Sequence, residues 1–160
     1  IMKAYSTCVG EGPFTVEMFG EEAEKLRAAG GEYGAATGRP RRVGPFDVVA
    51  SKYGVRIQGS DELALTKLDV LSYLDKIPVC TAYTIDGNIT TEFPFSSQLD
   101  RAKPIIEYLD GWKCDITKCR KPEDLPPAAL AYIQFIEKAV DCKIKYVSVG
   151  AEREEYVVMY

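Results

Sequence analysis

Three arginines close a short glycine-punctuated stretch, Gly34-Ala35-Ala36-Thr37-Gly38-Arg39-Pro40-Arg41-Arg42, and no carboxylate falls between Glu32 and Asp47. Arginine stays charged at every accessible pH and presents a planar fork of donors matched to carboxylate or phosphate. Three of them beside backbone N–H groups freed by Gly34 and Gly38 read as an anion receptor. Taken alone, an arginine-rich turn is more often a solvated surface turn.

A second candidate is Thr66-Lys67-Leu68-Asp69, which follows the apolar run Leu63-Ala64-Leu65. Guanine places N1–H and its exocyclic amino group side by side, and one ionised carboxylate accepts both. Adenine has an unprotonated N1 on that edge and would set a lone pair against a carboxylate oxygen. Asp69 is therefore a guanine-selecting candidate, with the Lys67 stem available to pack on base or ribose. As an isolated pattern it equally describes an exposed Lys-Asp pair. Ser148-Val149-Gly150 is the third candidate, where a hydroxyl and a glycine let backbone approach O6 of a base. The turn Gly10-Glu11-Gly12-Pro13-Phe14 fits neither phosphate-loop glycine spacing, and no Lys-Ser or Lys-Thr follows it.

Composition limits the chemistry. The 160 residues carry a net charge of -4, with 46% hydrophobic and 28% charged residues. That is the balance of a soluble globular domain; it argues against a general nucleic-acid surface, and no run is long enough to span a membrane. A cytoplasmic location is expected. There is no histidine, so neither imidazole catalysis nor a histidine-ligated metal is available here. The five cysteines, at 8, 80, 114, 119 and 142, read as reduced thiols with no second pair to complete a zinc site.

The elements that must position these residues read as mixed α/β. A strand is expected over Ala4–Val9, then a helix from Glu21 to Ala29 stopped by Gly30. A second helix, Phe46 to Tyr53, is expected to end at Gly54, and a buried strand covers Leu63–Thr66. Pro78–Ile85 and Asn88–Phe93 flank Asp86-Gly87, the dipeptide of a tight β-hairpin. Ile105, Ile106, Tyr108 and Leu109 predict another strand. Ala129, Tyr132, Ile133, Ile136 and Val140 recur at helical spacing as core residues. Lys143–Gly150 alternates as a last strand, followed by the acidic segment Glu152–Glu155. No repeat or linker divides the chain. The sheet is expected to be mixed, with flanking helices and a hairpin, and candidate loops lie beyond strand ends, where open α/β sheets hold ligands.

Read in order, Val9–Phe14, Glu32–Arg42, Leu65–Leu71, Pro104–Trp112 and Ser148–Gly150 resemble the C-terminal part of the adenylosuccinate synthetases. The resemblance implies residues 1–160 as the C-terminal portion of one larger, P-loop-NTPase-like α/β domain. It implies a GTP-dependent ligase that joins IMP and L-aspartate in purine biosynthesis. Under it, Ala35, Ala36, Thr37, Gly38, Arg39, Pro40 and Arg41 form the aspartate loop, Arg39 also touching IMP. Val9 lies near the IMP ribose. Arg41, Lys67, Leu68, Asp69, Ser148, Val149 and Gly150 surround GTP. The resemblance assigns the phosphate loop, the Mg²⁺ site and the catalytic aspartate and histidine to an N-terminal part not represented here, and implies a homodimer for the complete enzyme. Two departures stand out. Ala36 replaces one of two usual threonines, removing a hydroxyl donor, and Thr15-Val16-Glu17 replaces a usual Pro-Thr-Glu, which puts a polar contact at Val16 in doubt. The rival readings are a non-catalytic guanine-nucleotide-binding module and an interaction domain with incidental motifs.

Overall fold

In the computed structural model, which describes all 160 residues, the chain folds around two four-stranded sheets and a two-stranded ribbon. The chain order begins with β1 (Met2–Lys3), β2 (Ser6–Cys8), α1 (Gly20–Gly30), β3 (Arg42–Gly44), β4 (Phe46–Asp47), α2 (Val48–Gln58) and β5 (Glu62–Thr66). It continues with β6 (Lys76–Ile85), β7 (Asn88–Thr90), α3 (Ser96–Leu99), β8 (Lys103–Asp110), α4 (Pro127–Val140), β9 (Lys143–Ser148) and β10 (Tyr156–Val158). The first sheet has the order β1-β5-β9-β10, with β1, β5 and β9 parallel and β10 antiparallel. In the second, β6 pairs with β4 in parallel and with β7 and β8 antiparallel. The mixed α/β class is thus the one anticipated.

The first strand differs from expectation. It is split, β1 pairing with β5 while β2 crosses to pair with β3 in the ribbon. The break falls at Ala4 and Tyr5, which are both buried. Two successive buried residues cannot sit on alternating faces of one half-solvated strand, so the chain changes sheets there.

Helix α1 ends one residue later than expected, on Gly31 in the left-handed conformation. Helix α2 starts two residues late and runs past its expected stop. Asp47 caps it by accepting from Ala50 N at 3.1 Å, and the left-handed residue that ends it is Gly59. Gly54 is an interior residue with nothing near the place its Cβ would occupy. Continuing the helix buries Val55 in the main core, which outweighs the glycine's weak propensity.

The hairpin forms as read, with Asp86 and Gly87 both at positive φ, the signature of its turn type. Its second strand stops at Thr90, where the threonine hydroxyl accepts from Glu92 N and Phe93 leaves to stack on Tyr53. β6 extends two residues earlier than expected. Helix α4 buries the five residues named for its apolar face and ends on Asp141 in the left-handed conformation. β10 was not anticipated, because its three residues follow an acidic turn with little alternation. Val16 is buried beside Val49, Cys80, Tyr83 and Ile85, so it contributes packing where a polar contact was in question. No helix is long and apolar enough to cross a membrane.

Candidate functional site

Three parallel strands end together at Lys3, Thr66 and Ser148, and the segments leaving them hold two of the three candidate motifs. Lys67 takes φ of 60°, a left-handed conformation unusual for a residue with a side chain. It turns the chain sharply off β5, and Leu68 N then donates to Ser148 O at 3.3 Å. Lys67-Leu68-Asp69 and Ser148-Val149-Gly150 are therefore neighbours in space, 79 positions apart by numbering (148 less 69).

Asp69 is half-buried and has no side-chain partner. Burial pushes its carboxyl above the usual range; bonds from backbone N–H groups and the Lys67 charge oppose the rise, and Glu155 adds to it. The Asp69 carboxylate meets no other side chain, so acceptor positions beyond those backbone bonds are open to a ligand. Leu68 and Val149 beside it are fully buried and serve as packing. The Ser148 hydroxyl donates to Gly150 O at 2.9 Å, within its own loop. Gly150 has a structural reason as well: a Cβ there would come 2.0 Å from Glu155 Oε2. Glu155 also accepts from Glu152 N and donates its own N–H within that turn, closing the connection to β10.

The arginine stretch is a hairpin loop held by an antiparallel bridge between Tyr33 and Pro40. Gly34 N donates to Arg39 O and Gly38 N to Gly34 O, both at 2.8 Å. The glycine N–H groups read as free from the sequence are thus consumed by the loop itself. The open N–H groups are those of Ala35, Ala36 and Thr37 at its exposed tip.

The three arginines also divide. Arg42 is committed to the fold: it pairs with Glu17 at 2.6 Å and donates to Gly10 O and Gly12 O, clamping the turn after β2. Val9 stands exposed just before that clamped turn. Arg41 pairs with Glu32 at 2.8 Å. Arg39 is exposed and has no side-chain partner.

Glu32 is the residue that sequence reasoning missed. It is completely buried, yet four side chains converge on it. Lys3 Nζ donates to both oxygens at 2.8 and 3.0 Å, the Tyr5 hydroxyl donates to Oε1, Arg41 Nη1 to Oε2 at 2.8 Å, and Lys67 Nζ to Oε1 at 3.3 Å. Lys67 Nζ also donates to Gly30 O at 2.6 Å. Burial alone would raise the Glu32 carboxyl, but the bonds from Lys3, Tyr5 and Arg41 prevail and hold it at about 2. The Tyr5 phenol is pushed far above its ordinary value by burial and by the same carboxylate. The only hint in the sequence was a glutamate directly after the Gly30-Gly31 helix stop. Its partners lie at 3, 5, 41 and 67, in no local pattern.

A concavity of about 380 Å³ lies elsewhere. It is lined mainly by apolar side chains such as Leu26, Phe46, Leu71 and Ile77, and none of residues 35–41, 67–69 or 148–150 borders it. No three Asp, Glu or Cys side chains group closely enough to hold a metal ion. The five cysteines are free thiols.

Fold and site together define an α/β protein in which two of the three candidate ligand segments leave the carboxyl ends of parallel strands, the position at which such sheets receive nucleotides. A family model described as adenylosuccinate synthetase matches residues 1–157, so the chain belongs to the adenylosuccinate synthetase family. Among curated relatives, the adenylosuccinate synthetase of Fusobacterium nucleatum is 49% identical over 158 residues, covering 98% of this chain and 37% of the relative. That of Kineococcus radiotolerans is 49% identical over 161 residues, covering 100% and 38%. A solved structure described as fully ligated adenylosuccinate synthetase from Plasmodium falciparum matches with a TM-score of 0.94 at 36% identity, over 99% of this chain and 39% of that one. The chain therefore spans well under half the length of the relatives it matches.

Proposed function

We propose that this chain supplies the guanine-side and aspartate-side loops of a GTP-dependent ligase that joins IMP and L-aspartate to give adenylosuccinate, GDP and phosphate in AMP biosynthesis. The observation that carries the reading is the Asp69 carboxylate, free of any side-chain partner and set at a strand end against the Ser148–Gly150 loop.

In this reading Asp69 accepts from N1–H and the amino group of guanine, and Val149 and Gly150 form the backbone wall beside the base. The Lys67 amine is already held by Gly30 and Glu32, so its contribution to the nucleotide comes from its stem. Arg39 meets the aspartate carboxylates and IMP, and the N–H groups of Ala35, Ala36 and Thr37 at the loop tip add donors. Ala36 brings no hydroxyl, which leaves Thr37 as the loop's one hydroxyl donor. Arg41 faces the phosphate end of GTP, where positive charge stabilises a transferring phosphoryl group. Val9 sits at the ribose of IMP.

The 160 residues supply no histidine and no cation site. The Mg²⁺ implied by the family therefore finds no ligand set here. Proton transfer and metal binding belong to residues outside the chain, and the complete enzyme acts as a homodimer. The 160-residue chain on its own is inactive; turnover by that species, free of longer protein, would overturn this part of the reading.

The guanine assignment is tested by GDP and ADP affinity in the complete protein carrying this sequence. Asp69→Asn should lower the preference for GDP by at least about tenfold, the loss of one charge-assisted hydrogen bond. An unchanged preference would remove Asp69 from the base site.

A further inference from the structure

Glu32 has an arrangement that a merely structural carboxylate does not need. Its two oxygens face different functional segments: Oε1 receives Lys67, at the head of the Lys67–Asp69 loop, and Oε2 receives Arg41, at the foot of the arginine loop. Lys3 bridges both oxygens from the end of β1, and Tyr5, itself buried, fixes Oε1. One buried negative charge is thus shared among three cations. Arg41 and Lys67 keep about a third of their side-chain surface open at 34% and 36%, whereas Glu32 has none. The anion that fixes these cations is hidden from solvent, while the cations themselves remain within reach of a ligand.

The backbone reinforces the junction. Lys67 takes a φ of 60°, and its amine reaches both Gly30 O at the end of α1 and Glu32. Gly30, whose carbonyl receives the same amine, must be glycine: a Cβ there would meet the Tyr5 hydroxyl at 2.2 Å and Glu32 Cγ at 3.2 Å. Tyr33, next in sequence to Glu32, forms the bridge that opens the arginine hairpin, and Arg41 N donates to Glu32 O at 2.9 Å. A displacement of Lys67 is therefore transmitted to the base of the arginine loop through one buried carboxylate.

We infer that Glu32 is a positioning residue that ties the Lys67–Asp69 loop to the arginine loop, so that the nucleotide and the dicarboxylate are bound by one coupled unit. This rests on the reading of those two loops given above. Glu32 touches no ligand; it acts by holding Lys67 and Arg41. Because binding linkage is reciprocal, a change made on one side must appear on the other.

The experiment uses the complete protein carrying this sequence and measures two quantities: the Kd for GDP and the KM for aspartate. Glu32→Gln keeps the shape but replaces one oxygen by an amide NH2, which must then face either Lys67 and Tyr5 or Arg41, donors all. Both constants are expected to rise about tenfold, one hydrogen-bonded charge being lost from each side. Glu32→Asp, which keeps the charge on a shorter stem, should recover part of both losses. Val55→Ala, in a core helix with no bond to the junction, should lower the melting temperature while leaving both constants in place.

A rise in only one constant, or in neither, overturns the coupling. If Glu32→Gln yields no folded protein, Lys67→Met decides the matter: it sits on the guanine side, and a raised aspartate KM supports the coupling while an unchanged one refutes it. If the unmodified protein neither binds GDP nor releases phosphate in response to aspartate, the functional reading itself has failed, a result separate from any behaviour of the variants.

Discussion

At the scale of single residues, charges in the candidate site divide by whether the protein has already used them. Arg42 is spent on Glu17 and on two loop carbonyls, Arg41 is held by a buried carboxylate, and Arg39 is unpaired. A surface arginine with no internal duty can be removed without loss of fold. Arg39→Leu in the complete protein should therefore raise the aspartate KM by about tenfold with an unchanged melting temperature, as expected for one lost charge-assisted contact. Arg42→Leu should instead lower the melting temperature, since it releases the turn after β2 and leaves Glu17 unpaired. Kinetics unaltered by the first change would take Arg39 out of the site. Gly30 carries a steric argument of the same kind. Gly30→Ala should cost about 1–3 kcal/mol, because the Tyr5 hydroxyl, 2.2 Å from the new methyl, could move aside only by giving up its bond to the buried Glu32 carboxylate. Denaturant midpoints measure it, and stability equal to the parent would contradict the geometry.

At the scale of elements, Gly54 makes the opposite case from Gly30. It lies inside α2, away from any left-handed conformation, and nothing stands within 4 Å of its prospective Cβ. Gly54→Ala should stabilise by about 0.5–1 kcal/mol through lower entropy of the unfolded chain and better helix propensity. A denaturation midpoint that falls or stays fixed would count against α2 being continuous there. The same residue shows where the sequence was ambiguous. A glycine after an apolar stretch is a valid helix stop, and only the burial of Val55 by the remote core tells the helix to continue. The split of the first strand has a similar cause, since both partners, β5 and β3, lie far along the chain. Local chemistry was legible where it was self-sufficient: Asp86-Gly87 determined its own turn, and the spacing of α4 determined its own face. In the site, the motifs at 34–42, 66–69 and 148–150 were visible as strings. Their mutual placement was not, because it depends on parallel pairing of β5 with β9, and Glu32 was invisible because its four partners are scattered.

For the molecule as a whole, that buried carboxylate ties segments distant in sequence into one unit, and acid should expose its contribution. The folded-state Glu32 carboxyl is held at about 2, against an ordinary value of 4.5. A group whose folded value is depressed binds fewer protons when native than when unfolded. Its stabilisation is therefore complete above about 4.5 and is lost as pH falls through 4.5 towards 2. The gap corresponds to at most about 3 kcal/mol, reduced by solvent screening because Lys3, Arg41 and Lys67 each keep about a third of their side-chain surface open. Other carboxylates titrate in the same window, and Asp47 works in the opposite sense. Burial raises its carboxyl despite the bonds from Tyr83 and the α2 backbone, so ionising it costs stability that acid restores. Total acid sensitivity is consequently a mixture. The stability difference between the parent protein and Glu32→Gln isolates the one group, because the amide cannot titrate and Asp47 contributes equally to both. That difference should be constant from pH 7 down to about 5 and shrink steadily below it. A difference independent of pH between 5 and 2 would mean that Glu32 is not held ionised by Lys3, Tyr5 and Arg41, and the junction would lose its electrostatic basis.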